Sequence, residues 1–349
     1  MGEGGAIFRA DGSKELGMGH VVRSLSLASK LTAELEERGR EIRIQFVVRE
    51  DAGSQRVLQG SLFINRVRWI PPDARDIDSM AEIVGELGPA VVVTDIDLRG
   101  RVEEYQAAIF PSAHVSLHEH NYGILAADRV IAPTVRPLTI CPDGAPGVTH
   151  FAGSEYILLS DEISKLRHIA QSPEDPPRKV LVTMGGGDPA GLTRKVLGAI
   201  RGYNDPKVEW TVVLGPASGY DKSEFVREFP MKIEYLEGAE LPHDDFLQSL
   251  VEADAVITNG ATTLYEALAL GRPSMAVPQN EFESDVVRIL AEKGACVTPS
   301  DATSVGIMET MNRFLSDRSL RENIGSVGME LIDGQGARRV ATMILELLG

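Results

Sequence analysis

A chain of 349 residues, 43% of them hydrophobic, has enough apolar material for two ordinary cores. A net charge of −16 and a pI near 4.9 exclude a surface built for nucleic acid or anionic lipid, while leaving room for a local phosphate pocket. Two cysteines in unrelated contexts, Cys141 and Cys296, exclude a disulfide framework or zinc-ribbon spacing and fit a reducing, cytoplasmic compartment.

Residues 1–10 are short, glycine-rich and run straight into a strand-like segment, so no leader is expected, and no apolar run approaches a membrane span. Ala6 stands where a myristoylation signal needs Ser or Thr. The expected partner is a small substrate, water-soluble or met at a membrane surface. No nucleic acid and no obligate protein partner is expected.

In chain order, β-rich runs alternate with segments of helical period. Residues 6–10 predict a strand. After His20, Val21, Leu25, Ala28, Leu31 and Leu35 fall on one helical face. Residues 43–48 predict a second strand. Ile77, Met80, Ile83, Val84 and Leu87 mark a helix, and 90–94 is an apolar run of the kind buried in a parallel sheet. Weaker strands are expected at 113–117 and 129–132, then an irregular stretch at 133–149. QSPEDPPR at 171–178 has three prolines and no apolar period, and predicts a linker. A second series follows, with strands at 179–184, 208–214, 232–235, 255–258 and 274–277. Its helices are expected at 193–201, 262–270 and 281–293, with three more over 303–349. This alternation signals doubly wound α/β domains, at 1–170 and 179–335, with a closing helix at 336–349.

Three strand ends carry glycine loops. DGSKELGMGH at 11–20 runs through Gly17 and Gly19 to His20, at the expected start of a helix. Glycine permits positive φ and close approach of a ligand to backbone, and a helix N-terminus offers free N–H groups to an anion. A plain βα turn with a capping histidine fits equally well. MGGGDP at 184–189 suits a phosphate cradle or a tight turn; its spacing is not that of a nucleotide-hydrolysing P-loop and is incomplete as a dinucleotide fingerprint. NGATTLYE at 259–266 puts Asn259, Gly260, Ala261, Thr262 and Thr263 where amides and hydroxyls can meet a diphosphate. Glu266, one turn on, can take both hydroxyls of a ribose. Thr263 and Glu266 also have the spacing of a capping box.

Together these segments carry a family likeness. RADGSKELGMGHVVRSLSLA at 9–28 resembles the opening of the UDP-sugar hydrolases of pseudaminic acid biosynthesis, and VTMGGGDPAGLTRKVL at 182–197 resembles the start of that family's second domain. ITNGATTLYEALALGRPSMAVP at 257–278 is similar to its nucleotide-binding segment, which it shares with MurG-type glycosyltransferases. EYILLSDEISKLR at 155–167 and IDGQGARRVATMIL at 332–345 resemble the approach to the linker and the closing helix. The resemblance spans nearly the whole chain, in order. It implies an α/β GT-B fold: two Rossmann-like doubly wound domains facing a cleft, the closing helix packing back toward the N-terminal one. It implies a UDP-sugar substrate. The nucleotide would be held by Gly185, Gly186, Gly187, Asp188, Asn259, Gly260, Ala261, Thr262, Thr263 and Glu266, and the sugar by the N-terminal domain, with His20 as catalytic base. Two stretches depart from the pattern. Asp95-Ile96-Asp97-Leu98 stands where the hydrolases tend to carry Asp and an aromatic, and His118-Glu119-His120 where they tend to carry paired aspartates. Both should face the sugar, so Gly17, Gly19, Asp97, His118 and Glu119 are the sugar-binding candidates.

The expected chemistry needs no cofactor and no metal. A nucleotide-sugar is already activated by its diphosphate leaving group, which the helix N-termini would stabilise. His20 would take a proton from attacking water, and Asp11, Asp95 or Asp97 would orient the histidine or the sugar. Direct attack by water would invert the anomeric configuration. Asp95-Ile96-Asp97 is read as sugar-binding or structural over metal-binding. His114, His118 and His120 would share one face of an extended segment, but no fourth ligand is evident, so a polar loop is favoured over zinc. A glycosyltransferase moving the sugar to an acceptor would use the same fold and nucleotide site. The lack of a concentrated basic-apolar stretch in the N-terminal domain favours the hydrolase, and His20 with its glycine loops weighs against a non-catalytic binding protein.

Overall fold

The computed structural model describes residues 4–13, 16–121, 127–136, 149–170, 172–203, 205–238 and 240–349. Cys141, Gln171 and most of the expected irregular stretch at 133–149 lie outside the described residues. The strands are β1 (Ala6–Ala10), β2 (Ile44–Arg49), β3 (Val67–Ile70), β4 (Val91–Asp95), β5 (Ala113–Ser116), β6 (Arg129–Ala132), β7 (Thr149–Ala152), β8 (Lys179–Thr183), β9 (Glu209–Leu214), β10 (Ile233–Glu237), β11 (Ala255–Thr258) and β12 (Ser274–Ala276). The α-helices are α1 (Gly19–Glu37), α2 (Ala52–Gln59), α3 (Asp76–Leu87), α4 (Val102–Ile109), α5 (Asp161–Ile169), α6 (Leu192–Ile200) and α7 (Lys222–Glu228). They continue with α8 (His243–Glu252), α9 (Thr262–Ala269), α10 (Glu281–Glu292), α11 (Ser304–Ser316), α12 (Arg318–Leu331) and α13 (Gly336–Leu348).

The chain divides into two compact units. One comprises Met1–Ser13, His20–Asp161 and Gln335–Gly349, the other Lys14–Gly19 and Glu162–Gly334. The second unit thus begins at α5, ahead of the expected linker at 171–178. The reason is local: Arg167 on α5 donates to the carbonyls of Ala269, Met329 and Ile332, tying that helix to the ends of α9 and α12. Such carbonyls have no partner within their own helix.

In the first unit the strands pair in the order β3-β2-β1-β4-β5-β6-β7, all parallel. Successive residues of a strand face opposite sides of its sheet, and here both sides are apolar. Ala6, Phe8, Val91 and Val93 join one core with Leu27, Leu31 and Leu35 of α1 and Val340, Ala341 and Ile344 of α13. Ile7 and Val92 face the other core, with Met80 and Val84 of α3 and Tyr105 of α4. A sheet buried on both faces selects continuous β-branched runs, which is why Val91-Val92-Val93 reads so plainly as a central strand.

The second unit's sheet has the order β10-β9-β8-β11-β12, again parallel. One of its cores joins Val180 and Val182 of β8 to Val196, Leu197 and Ile200 of α6 and to Ile307, Met311 and Phe314 of α11. In both sheets the winding reverses beside the unit's first strand, between β1 and β4 and between β8 and β11. Ligands of open α/β sheets bind outside the carboxyl ends of the strands at such switch points.

Candidate functional site

At the first unit's switch point, β1 and β4 run in register to their ends, with Ala10 opposite Asp95. Asp95 closes β4, and His20 is the second residue of α1, the helix that follows β1. His20 Nδ1 lies 3.0 Å from Asp95 Oδ1. Arg23, three residues on and therefore on the same side of α1, clamps both oxygens of Asp95 at 2.5 Å each. Its Nη2 also stands 3.0 Å from His20 Nδ1 and 3.5 Å from Glu119 Oε2. Since Arg23 has carboxylates to donate to, His20 can keep its proton on Nδ1 and donate it to Asp95, which leaves Nε2 as an acceptor. Burial opposes the charge on Asp95, but the Arg23 guanidinium and His20 outweigh it and hold the carboxyl far below the usual carboxylate range. Burial likewise opposes Glu119, and Arg23 again holds it below its ordinary value.

His118 stacks on His20 with ring centroids 5.1 Å apart. Burial pushes its imidazole down to about 4, so it is neutral at pH 7. Its Nδ1 accepts from the His120 amide at 3.3 Å, which puts the ring proton on Nε2. The cluster thus offers a neutral imidazole N–H beside an imidazole with a free acceptor.

Two of the expected carboxylates are engaged elsewhere. Asp11 does not touch His20; the buried Arg9 grips both its oxygens at 2.5 and 2.6 Å, and the Arg49 amide donates to it at 2.8 Å. Asp97 is part-exposed and paired with Arg99 at 2.6 Å, with His120 at 3.4 Å. The shared face that a zinc reading of His114, His118 and His120 requires does not form. β5 ends at Ser116 and Glu119–Asn121 is a single 3-10 turn, so the segment is not extended. His114 turns inward, its Nε2 2.9 Å from Thr94 Oγ1. Among the described residues no three His, Cys, Asp or Glu side chains come together as a metal site. Gly17 has φ of +74°, as its turn requires, and with Gly19 it groups with the second unit.

The second unit's switch point brings two glycine loops side by side. Gly185 takes φ of +75°, and a Cβ there would press on the Asn259 side chain at 3.2 Å. The loop carbonyls face protein: Ala217 N–H donates to Gly186, and Gln279 Nε2 to Met184 and Gly187. Gly215 packs so closely on the carbonyls of Gly185 and Gly186 that a side chain has no room.

Three residues expected to contact the nucleotide have polar groups bonded within the protein. The Asp188 carboxylate closes the start of α6 from three residues before the cap residue Gly191, accepting from the Leu192 and Thr193 amides at 2.7 and 2.8 Å and from the Tyr220 hydroxyl at 3.0 Å. Asn259 Nδ2 and the Gly260 amide both donate to Glu283, at 3.1 and 3.0 Å. At α9, by contrast, the residue before the helix is Ala261 and no side chain caps it. The capping box read from Thr263 and Glu266 therefore does not form, and the amides of Thr262 and Thr263 keep the positive end of the helix open to an anion. Glu266 is buried, and that burial pushes its carboxyl up, with His243 pulling the other way.

Residues that the sequence reading passed over complete both clusters. Arg23 was signalled by its i, i+3 relation to His20. Glu283 was signalled by Asn280, which caps α10 through the Glu283 amide at 2.9 Å, the spacing of a capping box. Gly215 and Gln279 had no local signal, because their partners lie in the distant loop after β8.

No protein-family model matches the chain. It is 26% identical to the spore coat polysaccharide biosynthesis protein SpsG of Bacillus subtilis (strain 168), over 97% of each chain. Among solved structures it is similar to MurG of Acinetobacter baumannii, with a TM-score of 0.60 and 13% identity over 98% of this chain and 99% of that one. It is also similar to the UDP-GlcNAc 2-epimerase of Neisseria meningitidis bound to UDP-GlcNAc, with a TM-score of 0.61 and 11% identity over 98% and 100% of the two chains. The fold is thus the α/β GT-B class, two Rossmann-like units each built on a parallel sheet.

Proposed function

We propose that this chain is an enzyme that cleaves the anomeric C–O bond of a UDP-sugar, with water as nucleophile and UDP as leaving group, in surface-polysaccharide or nonulosonate sugar biosynthesis. One observation carries the reading: His20 has its Nδ1 against the buried Asp95–Arg23 pair and its ring still part-exposed, the disposition of a general base. The likeness to a polysaccharide biosynthesis protein over nearly the full length of both chains supports it.

In this reading the oxygen of water bonds to the anomeric carbon as the bond to the diphosphate oxygen breaks. The water proton passes to His20 Nε2, and the imidazolium so formed is stabilised by Asp95 and Glu119. The electron pair leaves with UDP, whose charge is taken up by the open N-terminus of α9 and the Gly186 and Gly187 loop. Glu266 accepts from the ribose hydroxyls. His118, a neutral donor, binds a sugar oxygen. A cytoplasmic location goes with this substrate. Transfer to an acceptor hydroxyl would use the same base and the same leaving group. Incubation with a panel of UDP-sugars, with and without candidate acceptors, separates the two: UDP release without acceptor is the hydrolase outcome, and release only with acceptor is the transferase outcome.

A further inference from the structure

The second unit contains a buried carboxylate with no part in that scheme. Glu283 is the third residue of α10, and its side chain turns back to accept three donors: Gln279 N–H at 2.9 Å, Gly260 N–H at 3.0 Å and Asn259 Nδ2 at 3.1 Å. In an ordinary capping box such a glutamate returns only to the cap residue's own amide. Here it crosses to the loop after β11. The same segment reaches the other loop, because Gln279 Nε2 bonds the carbonyls of Met184 and Gly187 at 3.1 and 3.2 Å. Asn259 packs on Gly185, so the contacts form a closed ring through both loops. Gly260 sits so tightly on α10 that a Cβ would come within 2.7 Å of Val287 and 2.9 Å of Glu283.

We propose that Glu283 is a positioning residue for diphosphate recognition, which fixes the loop after β8 and the loop after β11 in one register so that the α9 amides and the Gly186–Gly187 turn meet the same anion. This rests on the UDP-sugar reading above. A carboxylate suits the position because all three of its partners are donors and it is acceptor-only; glutamine would set an NH₂ group against one of them. Burial, with a smaller push from Asp188, raises the Glu283 carboxyl, while the Gln279 and Gly260 amides and Asn259 pull it down.

The test is calorimetric titration of the full chain with UDP and with uridine, alongside amide hydrogen exchange. In the unaltered protein UDP should bind at least tenfold tighter than uridine. In Glu283→Gln that margin should fall by about tenfold with uridine affinity retained, and exchange should quicken over 184–187 and 259–263. Gln279→Leu, which cuts only the bridge to the first loop, should reproduce the loss and decides the matter if Glu283→Gln does not fold. An unchanged margin in the folded variants, or equal weakening of UDP and uridine, would overturn the positioning role. A wild-type chain that binds neither ligand would overturn the nucleotide reading, and the diphosphate role with it. Unchanged exchange in Glu283→Gln would separately overturn the coupling of the loops.

Discussion

His20 can act as a base at Nε2 only while its proton stays on Nδ1, and what keeps it there is the charge on Asp95. Asp95→Asn preserves the shape but offers either a neutral acceptor or a competing donor. Turnover should therefore fall by about 10²-fold or more, with UDP affinity unchanged, in steady-state kinetics of UDP release. Arg23 has a different part. It holds Asp95 ionised in a buried position, and an unpaired buried carboxylate is costly, so Arg23→Leu should lower both turnover and stability.

His114 makes a separate, pH-dependent contribution. Burial pushes its imidazole down to about 4, while the unfolded chain protonates near 6.5. Between those values the unfolded state binds the extra proton, so stability is whole above about pH 6.5 and falls as the pH drops toward 4. At pH 5 the loss from this one group is about 2 kcal/mol. Urea denaturation of His114→Gln should show a correspondingly smaller drop between pH 7 and pH 5 than the parent chain.

Two helices that looked alike as sequence prove unlike as elements. α6 and α9 both follow a strand and a glycine turn, but Asp188 has closed the end of α6 and no side chain closes α9. Asp188→Ala should cost about 1 kcal/mol as the loss of a cap and a buried hydrogen bond, measured by denaturation. Gly260→Ala forces a Cβ into α10 and should cost ~1–3 kcal/mol by overpacking, together with most of the UDP affinity.

This contrast also marks how far the sequence could be read. The strands 6–10, 91–95, 179–183 and 255–258 were legible because a doubly covered sheet demands unbroken apolar runs, and α11 to α13 because their apolar period is strong. The strand Val67–Ile70, Val-Arg-Trp-Ile, is only partly buried and carries a weak pattern, so it was missed. Of the three aspartates expected near His20, the structure brings Asp95 to it, because Asp95 closes β4 beside the switch point. The roles of Asp11, Asp188 and Asn259 were not legible. A carboxylate or amide beside a glycine turn reads the same whether it faces a ligand, a buried arginine or a helix end, and only partners 38, 32 or 24 residues away decide which.

At the scale of the molecule, one rule builds both units: a parallel sheet buried on two faces, a winding reversal, and polar groups gathered outside the strand ends where the reversal leaves room. The first unit's holds Asp95 and Glu119 with His20 and Arg23. The second unit's holds glycine turns, the open end of α9 and the carboxylates of Asp188 and Glu283. In the UDP-sugar reading proposed above, the overall charge of −16 means that the diphosphate must be attracted by the loops and not by the surface at large. Among the described residues no helix is long and apolar enough to cross a membrane.

The measurement that bears most directly on the central claim is acceptor-free release of UDP from UDP-sugars by the full chain and by His20→Ala, with UDP affinity measured on both. The expected result is release by the parent chain, a loss of about 10²–10⁴-fold in His20→Ala, and UDP binding equal in the two. Release that persists undiminished in His20→Ala, or its absence from the parent chain with every UDP-sugar tried, would contradict the account.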